Sequence, residues 1–572
     1  MGYISTFFHG RGQLRARRLT MPGVRALHTF RTAAGRHHSS TRPLSSPASR
    51  RNFNTYFVTH LPSSSLHPDS RSSSGPGHKL PRSASTPHTP GPGASAAVVP
   101  PNIPNRDLTV VRIPLRSAKH HYGAANSRGQ RVYNEDAYQA GTITLPSFAR
   151  RAPMSVVRNP MPKQQGEGTS ADSLFGDPQV FYFGVFDGHG GSECSEFLRE
   201  ELHGYIEETA NEFSLQSSLG TGAKSGASSS QEDPKGRNTE PEATTDGFEP
   251  TSKTVQLESE LLEEYRRTVG GYFRRFSPEY FSVPTRSSAD DPVQGALPPV
   301  TIESVLSYAF LRADLDFITA QARKPDPDDP HVSDFPLNKD EILGSPHLPP
   351  SGHGIGGPVR FKGGSTASVA LVATPTPAPF WHPASHSTLV VAHVGDTRIL
   401  LCETATGRPR PVTADHHPSS PTESRRLRRF TDSLITDSFG EERIQGLANS
   451  RAFGDMQSKR IGVSAEPETT RVDMGPAEYS FLALMSDGVS GTLSDQEIVD
   501  VIKEARTPEE AARQVVEFAT EISSDGDNAT CLVVRLGGWE RRSEGGVGSL
   551  GTKEVRDARR AEALDPRRRG RR

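Results

Sequence analysis

The sequence predicts an α+β fold in which two β-sheets pack together and helices flank them. Three observations carry this. Short apolar runs, each closed by turn residues, recur along the chain; helix-period segments fall in groups among them; and the pattern is broken by long polar stretches. Only 33% of the 572 residues are apolar, and 52 Gly and 47 Pro punctuate the rest. Much of the chain therefore cannot bury enough surface to offset the entropy of ordering it. One domain of ~300 residues with solvated insertions is the expectation.

The elements follow in order. Val180-Phe181-Tyr182-Phe183-Gly184-Val185-Phe186 is a short apolar strand. From residue 193, Phe197, Leu198, Leu202 and Ile206 share one helical face. Leu257, Leu261, Tyr265, Val269 and Phe273 repeat at helical spacing, as do Ile302, Val305, Leu306, Ala309 and Phe310. The period then shortens to that of strands at 367–372, 389–394, 398–402, 481–485 and 531–536. Helices follow Ser494 and Thr507, the second opening Thr-Pro-Glu-Glu with a cap and a proline at its first position.

The ends and insertions have another composition. Residues 1–68 hold ten Arg, many Ser and no acid, the first being Asp69. That is the composition of a mitochondrial targeting segment, and the alternative is a basic tail on a cytoplasmic protein. Residues 69–119 read as linker, and 146–178, 213–253, 283–300 and 324–360 as disordered insertions in a domain spanning 120–537. Residues 538–572 read as a charged disordered tail. Three cysteines exclude a disulfide framework, and a net charge of −1 gives no overall pull on nucleic acid. No run approaches the ~18 apolar residues of a membrane span.

Chemistry concentrates where strands meet tight turns. Asp187-Gly188-His189-Gly190-Gly191 follows the strand ending at Phe186, and Asp487-Gly488 follows the strand ending at Met485. Asp525-Gly526-Asp527-Asn528 precedes the last strand, and Asn134-Glu135-Asp136 follows Arg131-Val132-Tyr133. One Asp-Gly pair marks only a turn. Several in one domain point to carboxylates converging on a cleft, where they bind hard cations through oxygen. Two such ions can hold a hydroxide for in-line attack on phosphorus.

These pieces resemble the metal-dependent type 2C protein serine/threonine phosphatases. Further matches are Gly364-Ser365-Thr366-Ala367, Val394-Gly395-Asp396-Thr397-Arg398 and Asp415-His416-His417-Pro418. Leu447-Ala448-Asn449-Ser450-Arg451-Ala452-Phe453-Gly454-Asp455, Ala465-Glu466-Pro467-Glu468 and Asp527-Asn528-Ala529-Thr530 complete the series in the family's order, over about residues 120–537. The targeting segment and insertions resemble fungal mitochondrial members. The resemblance implies a β-sandwich of two mainly antiparallel sheets in α/β/β/α layers, and hydrolysis of phosphoserine and phosphothreonine by a metal-bound water or hydroxide. It implies Mg²⁺ or Mn²⁺, two per chain, with Asp187 bridging both and the Gly188 carbonyl on one. Asp487 and Asp527 would complete one shell, and Glu135 and Asp136 the other. Arg131 would bind the substrate phosphate through its planar fork, and His189 would be the general acid. Gly491 stands where many members carry a further Asp, which leaves Asp396 to support a third ion with Asp487. Phosphorylated proteins are the implied partners, without nucleic acid or a membrane segment.

Two rivals remain. Cys402-Glu403-Thr404-Ala405-Thr406-Gly407-Arg408 has the Cys-x5-Arg spacing of a thiol phosphatase, but its cysteine ends a strand beside Glu403, which would raise its pKa. A phosphatase-fold scaffold without chemistry should lack the metal carboxylates, which this chain retains.

Overall fold

The computed structural model describes residues 53–62, 86–87, 108–116, 121–151, 169–170, 177–219, 250–283, 299–325, 349–350, 354–428, 434–436, 442–444, 446–543 and 550–565. Most of the basic N-terminal segment and most of each insertion lie outside these residues.

Ten strands build two central sheets: β1 (Tyr122–Ser127), β2 (Ala137–Ile143), β3 (Val180–Phe186), β4 (Ala367–Ala373), β5 (Ser387–Val394), β6 (Arg398–Glu403), β7 (Pro409–Pro411), β8 (Glu468–Met474), β9 (Tyr479–Met485) and β10 (Ala529–Arg535). The first sheet has the order β8-β5-β4-β3-β2 and the second β7-β6-β9-β10-β1, and each is antiparallel throughout. Because side chains alternate along a strand, each sheet has two faces to cover. Phe183, Val185, Val372 and Val391 meet Ile399, Leu401, Leu484 and Val534 between the sheets.

The outer faces are covered by helices. Tyr182, Leu371 and Val390 pack with α1 (Glu193–Glu212), α2 (Ser252–Thr268) and α3 (Ile302–Ala322) through Leu198, Leu202, Leu261 and Phe310. Leu400, Phe481 and Val533 pack with α4 (Asp495–Glu504) and α5 (Pro508–Ile522) through Ile498, Ile502, Val515 and Ala519. Burial on both faces explains why β3, β4, β5 and β9 read as unbroken apolar runs; every residue of each is buried. The layers are thus α/β/β/α, as the sequence implies. No helix among the described residues is long and apolar enough to cross a membrane.

Helix limits follow local chemistry. Thr507 caps α5 by accepting from the Glu510 N–H, with Pro508 at the first position, and Ser494 forms a capping box with Glu497 on α4. The second helical stripe stops at Thr268 instead of reaching Phe273. Gly270 and Gly271 both take positive φ (67° and 54°), and a short 3₁₀ turn, Gly271–Arg275, carries the chain onward.

Three local readings need correction. Tyr56–Pro62 and Leu108–Pro114, inside the stretches read as targeting segment and linker, pair as antiparallel strands, and Phe57, Ile113 and Leu115 enter the core between the sheets. Averaging over Ser-, Pro- and Arg-rich surroundings hid these two strands. Beside these strands His121 is buried, stacked on Trp381 with ring centroids 3.7 Å apart. Residues 550–564, read as part of a disordered tail, form α6 (Leu550–Leu564). Arg559 pairs with Glu497 at 2.8 Å, Arg556 with Glu504 at 2.7 Å and Arg560 with Glu521 at 2.7 Å, so charge complementarity docks the helix on α4 and α5.

Register brings the functional turns to one end of each sheet. Ala137 pairs with Phe186, Val185 with Ser368, and Ala367 with Val394. In the second sheet Arg398 pairs with Met485, and Met485 with Cys531. Asp136, Asp187, Asp396, Asp487 and Asp527 stand within a few residues of those paired ends.

Candidate metal centre

Three of these carboxylates converge. One oxygen from each of Asp187, Asp396 and Asp487 lies within 4.8 Å of the others. The Asp487 N–H donates to Asp187 Oδ2 at 3.3 Å, and the Asp187 carbonyl accepts from the Thr366 N–H at 2.8 Å and the Ser365 hydroxyl at 3.0 Å. The backbone on both sides of the cluster is therefore held by the sheets. Asp136 lies beside it, buried, and its Oδ2 accepts from Ser486 at 2.8 Å and Thr530 at 2.7 Å. Its Oδ1 is buried without a hydrogen-bond partner.

The electrostatics are unfavourable for the bare protein. Burial pushes all four carboxyls above the usual carboxylate range. Asp136 and Asp487 rise to about 6 and Asp396 to about 7, with the negative charge of neighbouring carboxylates adding to the rise. Asp187 rises well above its ordinary value through burial and then through Asp487, Asp136 and Asp396. Asn449 offsets part of the effect on Asp396 by hydrogen bonding. A divalent cation would reverse the penalty, and an all-oxygen donor set suits Mg²⁺ or Mn²⁺. The unpartnered Asp136 oxygen is a further fit to such an ion.

Glu135 and Asp527 stand outside the three-carboxylate group. Asp527 instead pairs with Arg131 at 2.8 Å, at the exposed rim. Asn528 anchors the neighbouring turn: its Oδ1 accepts from the Glu135 N–H at 2.8 Å, and its amide donates to the carbonyls of Tyr133 and Arg128. The Glu135 carbonyl accepts from the Ser195 hydroxyl at 2.5 Å. Gly188 is required by closeness, because a Cβ there would sit 2.4 Å from the Glu135 carbonyl oxygen.

His189 faces Asp455. Its Nε2 lies 2.9 Å from both carboxylate oxygens. Burial would lower the imidazole pKa, but Asp455 outweighs it and the net shift is upward. Asp455 is buried at a backbone φ of 42°, its N–H bonded to the Gly363 carbonyl at 2.9 Å. The adjacent Gly454 N–H donates to Asp314 Oδ1 at 2.9 Å, and Asp314 pairs with Lys459 at 2.8 Å, both fully buried. In the sequence Asp455 stands only as the end of the Leu447–Asp455 motif. Its signal was a carboxylate after a Phe-Gly turn, which does not name a partner 266 residues away.

The thiol reading fails on geometry. Cys402 is fully buried within β6, and burial pushes its thiol up to about 12. The Glu403 N–H donates to the Arg408 carbonyl, closing a hairpin instead of a phosphate loop. His416 and His417 take different partners. His416 Nδ1 accepts from the Gly395 N–H at 3.0 Å, bracing the turn before Asp396, while His417 bonds Ser419.

Known proteins are similar to this chain in sequence. The family described as protein phosphatase 2C matches residues 359–527. Protein phosphatase 2C homolog 4 of Schizosaccharomyces pombe is 32% identical over 434 residues, covering 76% of this chain and 84% of that protein. Protein phosphatase 1K, mitochondrial, of Xenopus laevis is 36% identical over 185 residues, covering 32% of this chain and 46% of that protein. A serine-threonine phosphatase 2C structure from Toxoplasma gondii aligns over 73% of this chain and 94% of that one, at 16% identity and a TM-score of 0.39.

Proposed function

This chain belongs to the protein phosphatase 2C family, a family of protein serine/threonine phosphatases, and from that premise we propose that it hydrolyses phosphoserine and phosphothreonine in proteins using divalent cations. The observation that carries the reading is the convergence of Asp187, Asp396 and Asp487 beside the unpartnered oxygen of Asp136. A catalytically silent scaffold has no use for four buried carboxylates whose ionisation is opposed by burial.

In this reading Asp187, Asp487, Asp136, Glu135, Asp527 and the Gly188 carbonyl would hold two Mg²⁺ or Mn²⁺ ions, and Asp396 would support a third. Such ions supply an activated water and positive charge against the phosphate dianion. Arg131 engages the phosphate with two donors of its fork, exchanging or sharing its contact with Asp527. His189 gives a proton to the departing seryl or threonyl oxygen. Its Nε2 is occupied by Asp455, so Nδ1 is the nitrogen that serves.

We assign the work to mitochondria on the acid-free, Arg-rich N-terminus, in keeping with the mitochondrial relative from Xenopus laevis. Residues 56–62 pair within the fold, so the targeting test uses residues 1–52 fused to a fluorescent reporter. A cytosolic reporter would overturn the assignment.

The activity is tested by phosphate release from a phosphothreonine peptide with Mn²⁺, with EDTA, and with Cys402→Ser. Release that needs metal and survives Cys402→Ser is expected. Release indifferent to EDTA but lost with Cys402→Ser would replace the mechanism with a thiol one, and no release under any condition would favour a scaffold.

A further inference from the structure

Val132 and Tyr133 are 74% and 72% exposed, the two most exposed large apolar side chains among the described residues. A single exposed apolar residue is ordinary and needs no explanation. Two features set this pair apart, and the first is position: it directly follows Arg131 and precedes Glu135 and Asp136.

The second is rigidity of the backbone that presents it. The Arg128 guanidinium donates to the Arg131 carbonyl at 2.8 Å, and Arg131 in turn reaches Asp527 at 2.8 Å. The Asn528 amide donates to the Tyr133 carbonyl at 2.9 Å and accepts from the Glu135 N–H at 2.8 Å. A loose loop could fold its apolar side chains onto the domain. This one is pinned on both sides of the pair, so the side chains stay turned to water. Tyr adds a large contact area that costs little rotamer entropy to fix.

We propose that Val132 and Tyr133 form the specificity surface for the substrate polypeptide, covered by an apolar side chain one or two residues from the phosphorylated Ser or Thr. The proposal rests on the phosphatase reading. With phosphate on Arg131, the neighbouring substrate residues are carried within a few ångströms of the pair, since consecutive Cα atoms lie about 3.8 Å apart. An apolar neighbour would remove both partners' surface from water. A charged neighbour would be held against apolar surface with no counter-charge on the pair.

The test uses the full chain with Mn²⁺ and two phosphothreonine peptides that differ only in carrying Leu or Glu on either side of the phosphoresidue. The expected kcat/KM favours the Leu peptide by about tenfold, the worth of one well-covered aliphatic side chain. The double substitution Val132→Ser/Tyr133→Ser should bring that ratio close to one. Val555→Ser, which alters another exposed apolar residue on α6, should keep the wild-type ratio. A wild-type ratio of one, or a double variant that keeps the preference, would overturn the proposal. A wild-type dimer that the double variant dissolves would also overturn it, making the pair a self-association surface. Wild-type hydrolysis of p-nitrophenyl phosphate separates the two levels. With that activity present, a flat peptide ratio removes only the specificity surface; without it, the phosphatase reading falls and takes the proposal with it.

Discussion

His189 Nε2 lies 2.9 Å from both oxygens of Asp455, a carboxylate 266 residues further along the chain and almost fully buried. The contact fixes the imidazole through Nε2, which in the proposed mechanism leaves Nδ1 for the substrate. It also gives the first prediction. Asp455→Ala should lower kcat on a phosphothreonine peptide by about 10²-fold, within the usual range for general-acid catalysis. The loss should be much smaller on p-nitrophenyl phosphate, whose leaving group needs little protonation. Equal losses on both substrates would reduce Asp455 to a structural residue.

Lys459 and Asp314 form a fully buried ion pair at 2.8 Å below the turn that carries Asp455. Lys459 also donates to the Ala452 carbonyl at 2.7 Å. Removing one member leaves the other charge uncompensated. Lys459→Met should therefore destabilise the fold by about 3–5 kcal/mol, measured by urea denaturation, and Lys459→Met/Asp314→Leu should recover part of that loss.

Buried histidines should oppose folding as pH falls, against the opposite contribution of the four carboxyls that burial raises. Burial lowers the imidazole pKa of His203 to about 4 and that of His393 well below its ordinary value. A folded-state pKa below the unfolded value near 6.5 means that the unfolded chain binds the extra proton first. Stability from these residues is present above 6.5 and is lost as pH falls. Between pH 7.5 and 5.5 His203 should cost about 1 kcal/mol, and His393 acts in the same direction. His203→Gln, compared with wild type at both pH values, should remove its share of that loss.

Helix α6 should contribute to stability through the contacts of Arg556, Arg559 and Arg560. Part of this is surface charge and is modest individually. The chain ending at residue 549 should unfold at a lower temperature than the full chain, by several degrees. An unchanged unfolding temperature would mean that the helix does not dock.

How much of this was legible depended on how local each cause is. The strand-end positions of Asp187, Asp396 and Asp487 could be read because an apolar run and the turn that closes it are adjacent in sequence. Helix α5 could be read from Thr507 and Pro508 for the same reason. The pairing of His189 with Asp455 could not, because it depends on how two distant turns meet in the fold. Helix α6 escaped because the residues that dock it are arginines, which read as a solvated tail until Glu497, Glu504 and Glu521 are placed opposite them. The strands at 56–62 and 108–114 escaped because their partners are each other across a polar stretch.

The most direct test of the account is phosphate release from a phosphothreonine peptide across a Mn²⁺ titration, comparing wild type with Asp187→Asn. The account predicts release that rises with Mn²⁺ to saturation in the wild type and falls at least about 10²-fold in the variant at every concentration. Wild-type release that is independent of Mn²⁺, or an Asp187→Asn protein as active as wild type, would contradict it.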